Sequence, residues 1–308
     1  MANSVGSNIE AVDYNTIRNK INLIMGAGVG QFGYGQSLVS TDVAQGNAIT
    51  ADHWKALRWD IFNARVHQDG LSPSIVTPLS GETIKYGAGF PNNQYNSQTD
   101  LATINKFNLG VGQFVIESGT TTTRSTGWNT SVTSSVTVTF GTANQARWFF
   151  NSGGQIRFTS TRTGGSPYAQ NSTWSTTLER IGTVSFSAIS PVLNFYNLTT
   201  SNQTFYSTNV GTIYLSSSPY NTNNYIIRAL CNVADNSQGG ATTIIFTITW
   251  QDAYVDANPT PPPDIVDGNL TLTVSEARAS GVLQNGTGSP GSFSITRPSY
   301  AITAITGS

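Results

Sequence analysis

Charge is scarce in this 308-residue chain: Asp, Glu, Lys and Arg together make up 10% of it, against about 25% in an ordinary soluble domain. With a formal net charge of -1 there is no basic face, so neither nucleic acid nor an anionic membrane surface is an expected partner. Cysteine is almost missing as well. Cys231 stands alone, which rules out an intrachain disulfide. Only His53 and His67 represent histidine, and neither has the neighbouring ligands that zinc or a catalytic base requires. No apolar run approaches the ~20 residues of a membrane span. The opening Met1-Ala2-Asn3-Ser4-Val5-Gly6-Ser7-Asn8 has neither the basic nor the apolar segment of a secretory signal. Lysine, finally, is confined to Lys20, Lys55, Lys85 and Lys106, a shift that marks a composition boundary.

What is present is a 38% hydrophobic fraction with 10% aromatics, in a background of Ser, Thr and Asn. A disordered chain would carry more charge and fewer rings, so a folded protein with a hydroxyl- and amide-rich surface is expected. Its size fits one large or two ordinary domains.

The clearest internal order is a repeat at an offset of 40. Gly6–Ile21 aligns without gaps on Gly46–Ile61, with identities at Gly6/Gly46, Ile9/Ile49, Ala11/Ala51, Arg18/Arg58 and Ile21/Ile61. Tyr14, Ile17 and Ile21 in the first copy, and Trp54, Leu57 and Ile61 in the second, step by three and four, the spacing of one helix face. Thr50 is the expected N-cap of the second helix and Gly26 the stop of the first. In the second copy Trp59 and Phe62 replace Asn19 and Asn22. Together with Val66 they form a further apolar face, the candidate assembly surface: Trp59, Phe62 and Val66 contact either a neighbouring subunit or the β portion of the same chain.

Between the copies, Gly28, Gly30 and Gly33 match the G-x-G-x-x-G pattern. A dinucleotide site needs a strand before this pattern and a helix directly after it. Here a helix precedes and Gly, Ser and Gln follow, so the stretch is expected to be a structural loop. No cofactor is expected.

Residues 1–70 therefore form a helical repeat unit, and residues 71–124, rich in Gly, Pro, Asn and Thr, an extended connector with strands near Ile84-Lys85-Tyr86 and Gln113–Ile116. Residues 125–308 alternate with period two. Val132, Val136 and Val138 share one strand face; so do Tyr225 through Cys231 to Val233, Ile244 to Trp250, Leu270 to Val274, and finally Phe293 with Ile295. The expected fold class is mainly β, an antiparallel β-sandwich with a small N-terminal repeated-helix unit. Two short helices interrupt it, at Ala143–Phe150 and Trp174–Ile181. The run Asn258–Asp264, with its prolines, reads as a stiff loop.

Chemistry-bearing constellations are few. Cys231 sits on an apolar strand face as a core thiol. Asp252, Asp256, Asp264 and Asp267 lack the EF-hand spacing and read as a solvated loop, with a weak calcium site as the alternative. Trp128, Tyr168, Tyr196, Tyr206 and Tyr220 either cap the ends of the sandwich or stack on sugars. Sixteen acids scattered along the chain form no conspicuous catalytic pair.

Three stretches carry a resemblance: the repeated helix motif with GAGVGQFGYGQ, the block RWFFNSGGQIRFTSTRTGG with the following NSTWSTTLERIGTVSF, and NYIIRALCNVADNSQGGATTIIFTITWQD with DGNLTLTVSEARASG. In these the chain resembles virion structural proteins of contractile-tailed phages of marine bacteria, particularly those infecting cyanobacteria. The resemblance implies a non-enzymatic structural component of a tailed bacteriophage virion, in tail or neck, with other virion proteins and copies of itself as partners in a homo-oligomer. It supplies no catalytic residues. Synthesis in a host cytoplasm and release by lysis would account for the N-terminal sequence. The alternatives are a tail fibre or adhesin module binding host-surface glycans and, further off, a glycan-degrading tail enzyme.

Overall fold

The computed structural model describes residues 10–77, 79, 91–214, 219–255 and 265–307. The protein is mainly β, with antiparallel sheets and several helices. Its chain divides into two compact units, one formed by residues 1–115, 144–154 and 278–297, the other by 116–143, 155–277 and 298–308.

The first unit is helical. Its first two helices are the repeat copies, α1 (Ala11–Met25) and α2 (Ala51–Asp69). Tyr14 and Trp54, equivalent positions in the two copies, meet edge to face with ring centroids 5.5 Å apart. Ile17, Ile21, Leu57 and Ile61 are all buried, so each expected apolar stripe faces the core. Thr50 caps α2 by accepting from the His53 amide, while His53 Nδ1 accepts from the Thr50 amide. His53 is thus half of a capping box. Gly26 ends α1 and Gly70, in the left-handed conformation, ends α2.

Two expectations are corrected here. The supposed extended connector contains a third helix, α3 (Pro91–Ile104). Its residues are poor helix formers, and tertiary packing overrides them: Tyr95, Thr99 and Ala102, spaced i, i+4, i+7, are buried, and the Tyr95 ring stands edge-on to Trp54 at 5.0 Å. Phe293 and Ile295, read as a last sandwich strand, belong to no strand and lie buried within the helical unit. Their alternation reflects one-sided burial of an extended segment, which needs no ladder. The expected strand at Ile84–Tyr86 and the proline run lie outside the described residues.

A helix from the middle of the chain, α4 (Ala143–Asn151), runs almost over the expected residues but, instead of belonging to the β region, completes this unit, because its side chains bond the glycine loop. It grips the glycine loop. Arg147 donates to the carbonyls of Gly30 and Phe32 at 3.3 Å, Asn151 to those of Gly30 and Gly33, and Trp148 Nε1 to that of Ala27 at 2.9 Å. Gly35, at positive φ, lies directly against the Trp148 indole, where a Cβ would collide.

The second unit holds two antiparallel sheets. One is ordered β1 (Phe114–Arg124), β8 (Asn269–Ala279), β3 (Gln155–Thr163), β4 (Thr183–Phe186); the other β11 (Ser299–Ile302), β2 (Ser131–Thr139), β7 (Thr243–Gln251), β6 (Asn224–Cys231), β5 (Gln203–Asn209), with β12 (Thr306–Gly307) also on β2. Register follows the hydroxyl pattern. Thr133, Ser135 and Thr139 of β2 pair with Thr249, Thr247 and Thr243 of β7 on one face, while Val132, Val136 and Val138 pair with Trp250, Phe246 and Ile244 on the other. The buried faces meet where Phe246 touches Phe158 and Phe186 at centroid distances of 4.8 and 5.1 Å. Strand β6 ends at Cys231, short of Val233. Helix α5 (Ala169–Ile181) starts five residues before the expected Trp174.

Candidate assembly surface

Trp59, Phe62 and Val66 lie on α2 and are each half-buried. The first two pack edge to face at 5.4 Å, and the Arg58 guanidinium lies over both rings, 4.8 Å from the Trp59 centroid and 5.8 Å from that of Phe62. Part of this face is covered by the chain itself. The short strands β9 (Val282–Leu283) and β10 (Gly291–Ser292) form a hairpin whose tip residue Gly286 abuts the Trp59 indole nitrogen. Asn63 secures the hairpin by donating to the Gln284 carbonyl at 2.8 Å and accepting from its amide at 2.8 Å. Gln36 does the same for Ser294, donating at 3.2 Å and accepting at 2.9 Å. Each side-chain amide presents the donor and acceptor that a neighbouring strand would present, so an extended segment is held without a partner strand.

Next to this clamp lies His67. Its Nε2 sits 3.0 Å from the Ser152 carbonyl, which only accepts, so that nitrogen carries the proton. The ring is stacked on Phe293 at 4.3 Å and tilted against Tyr34 at 5.0 Å. Burial holds its pKa down at about 4, against the opposing effect of the Ser152 hydrogen bond. Burial likewise pushes Tyr34 above its usual range, although its hydroxyl donates to the Lys106 carbonyl and accepts from Gln68.

A second surface on the helical unit went unnoticed in the sequence. The C-terminal ends of α2 and α3 expose large apolar side chains: Val111 is 89% exposed, Ile104 76%, Leu71 73% and, in the glycine loop, Val29 70%. They are linked. The Gly110 amide donates to the His67 carbonyl, bringing Gly110 against Gly70, so Leu71 and Val111 flank a backbone contact. Lys106 Nζ lies 4.8 Å from the Phe32 ring centroid and 4.9 Å from that of Phe107, joining the glycine loop to the end of α3. Singly such residues are unremarked on any surface; Leu71 and Val111, brought together by the Gly70–Gly110 contact, form an exposed apolar pair. No sequence period points to it, because these residues lie on separate loops and helix ends.

The remaining candidates are accounted for by their own neighbours. Cys231 is buried, its thiol donates to the Val233 carbonyl, and burial raises its pKa. The carbonyls of the glycine loop face the Arg147 cation, whereas a phosphate cradle turns amide N–H groups inward. Asp252 accepts from Gln170 at 2.7 Å, and Asp267 from the Ser166 hydroxyl at 2.7 Å and from Asn171. The Ser166 hydroxyl first, aided by further donors, keeps the Asp267 carboxyl below the usual carboxylate range. Asp256 and Asp264 lie outside the described residues. Asp60, buried, accepts from both Val39 and Ser40 amides, at 2.8 and 2.9 Å, and burial still raises its pKa. Among the described residues no group of three or more His, Cys, Asp or Glu could hold a metal ion. Of the aromatics considered for stacking, Trp128 and Tyr196 are buried, while Tyr168, Tyr206 and Tyr220 are half-buried.

Comparison with protein-family models, with curated proteins and with solved structures finds no match for this chain.

Proposed function

We propose that the protein is a non-enzymatic structural subunit of a tailed-phage virion, in tail or neck, which assembles with copies of itself and other virion proteins through its helical unit. The observation that carries the assembly reading is the exposed apolar pair Leu71 and Val111, with Val29 and Ile104 also exposed on the same unit. Adjacent, largely exposed apolar side chains of this size are what an interaction surface offers a partner. The virion part of the reading is supported by the three stretches that resemble phage structural proteins. The α2 face of Trp59 and Phe62 is partly covered by the β9–β10 hairpin, which favours Leu71 and Val111 as the docking surface.

The test is sedimentation velocity on the purified chain and on Leu71→Asp/Val111→Asp. The wild type is expected to sediment as an oligomer at micromolar concentration and the double variant as a monomer with an unchanged melting temperature. A wild type that stays monomeric and fails to enter particles when supplied in trans would overturn the reading. A second reading, a module binding host-surface glycans, is favoured by a polar cleft beside Trp59.

A further inference from the structure

A cleft of about 300 Å³ opens beside α2, lined by Asp52, Lys55, Arg58, Trp59, Thr77 and Asn285 among others. Asp52, Lys55 and Trp59 stand at i, i+3 and i+7, one face of the helix. Arg58 is fixed within it. Its Nε donates to the Ile75 carbonyl at 3.1 Å, and its guanidinium lies on the Trp59 and Phe62 rings. The terminal nitrogens of this oriented fork have no partner among the described residues. Such a planar fork matches a carboxylate, which it binds through two parallel hydrogen bonds.

The repeat shows what the equivalent position holds. Arg18, the counterpart of Arg58 at the offset of 40, binds the Asp42 carboxylate at 2.8 Å. In the second copy the same guanidinium faces a cleft instead. Lys55 adds a second positive charge, and its ammonium lies 3.8 Å from Asp52, beyond hydrogen-bond reach. Both groups therefore keep their capacity for hydroxyls. The volume suits one ring-sized group, and the lining combines an aromatic wall with polar donors and acceptors, a combination that fits a saccharide better than a peptide strand.

We propose that this cleft binds a uronic acid residue of an acidic glycan, its carboxylate on Arg58 and Lys55 and its hydroxyls on Asp52 and Thr77. This deepens the glycan reading and is independent of self-assembly. The full chain is titrated with D-glucuronate, D-glucose and acetate, following tryptophan fluorescence and ligand-observed NMR saturation transfer. Glucuronate is expected to bind with a dissociation constant on the order of 1 mM, the level a single sugar reaches with ordinary ligand efficiency. Glucose and acetate are expected to bind at least about tenfold more weakly, each lacking one half of the recognition. Arg58→Lys, which keeps the charge and loses the fork, should weaken glucuronate about tenfold. Lys55→Gln, at an exposed position that leaves folding alone, should weaken it severalfold.

Glucose binding as well as glucuronate would overturn the uronate assignment and leave the glycan reading standing; no response to any sugar would overturn both. Acetate matching glucuronate would reduce the cleft to a simple anion site, and unchanged affinity in both variants would place binding elsewhere. Glu82, 40 residues on from Asp42, lies outside the described residues. Binding that emerges only in Glu82→Gln would assign the fork to the chain's own carboxylate and sink the proposal.

Discussion

The two units are held together by different means, and the difference decides what a mutation does to each. In the β unit, backbone ladders provide the hydrogen bonds and a few rings provide the contact between sheets. The helical unit gathers segments far apart in sequence, and side chains bonded to backbone join them: Arg147 and Asn151 on the glycine loop, Gln36 and Asn63 on the hairpin segment, Asp60 on Val39 and Ser40. Ladder bonds persist under most substitutions. A side-chain clamp is lost with one.

The largest effect that separates the units is expected from Phe246→Ala. This fully buried ring touches Phe158 and Phe186, so its removal should cost about 3 to 5 kcal/mol in urea denaturation. Amide exchange should accelerate through β2, β6 and β7 while α1 and α2 keep their protection; equal acceleration in both units would show that they unfold as one.

Acid should act in the opposite place. The folded chain keeps His67 neutral down to about pH 4, whereas an unfolded chain protonates it near 6.5. Between these values the unfolded state binds more protons, so a stability contribution complete above pH 6.5 falls away as the pH drops towards 4. The full loss is about 3 kcal/mol. It should appear as faster exchange of the glycine loop and α2, and His67→Gln, which keeps a donor for Ser152, should flatten the slope. A wild type as stable at pH 4.5 as at pH 7 would refute the buried neutral ring.

The smallest effect concerns the hairpin. Gly286 has φ +77° and no room for a Cβ beside Trp59. Gly286→Ala should cost about 1 to 2 kcal/mol and raise Trp59 accessibility to a quencher, with no change in the β ladders. An unaltered melt would mean that the hairpin does not hold the Trp59 face.

Legibility in the sequence follows the same division. Period-two alternation is a local signal, and it located β2, β6, β7 and β8, because each strand buries one side of itself. The repeat, the Thr50 cap and the Gly26 stop were legible for the same reason. Helix α3 was not, since Tyr95, Thr99 and Ala102 are its only buried residues with described side chains and their signal was swamped by Asn, Gln, Ser and Thr. Nor could any local pattern show that Phe293 stacks on His67, more than two hundred residues earlier. Of the candidate surface, Trp59, Phe62 and Val66 were legible as an anomaly against the first repeat copy. Their cover, Gly286, was not: a lone glycine in a polar loop carries no sign of what it lies against.

The interleaving of the two units bears on how the molecule is made. A chain that leaves the ribosome N-terminus first usually lets its first domain fold first. Here that order cannot hold to completion, because the helical unit includes residues 144–154 and 278–297. While most of the β unit is being synthesised, Ser294, Gln284 and Phe293 do not yet exist, and the groups that will receive them, Gln36, Asn63 and the outer face of the His67 ring, stay open. The nascent chain therefore passes through a stage with this acceptor surface exposed and closes it only after β8 has been translated. The helical half would then remain unfinished until residues 278–297 have emerged.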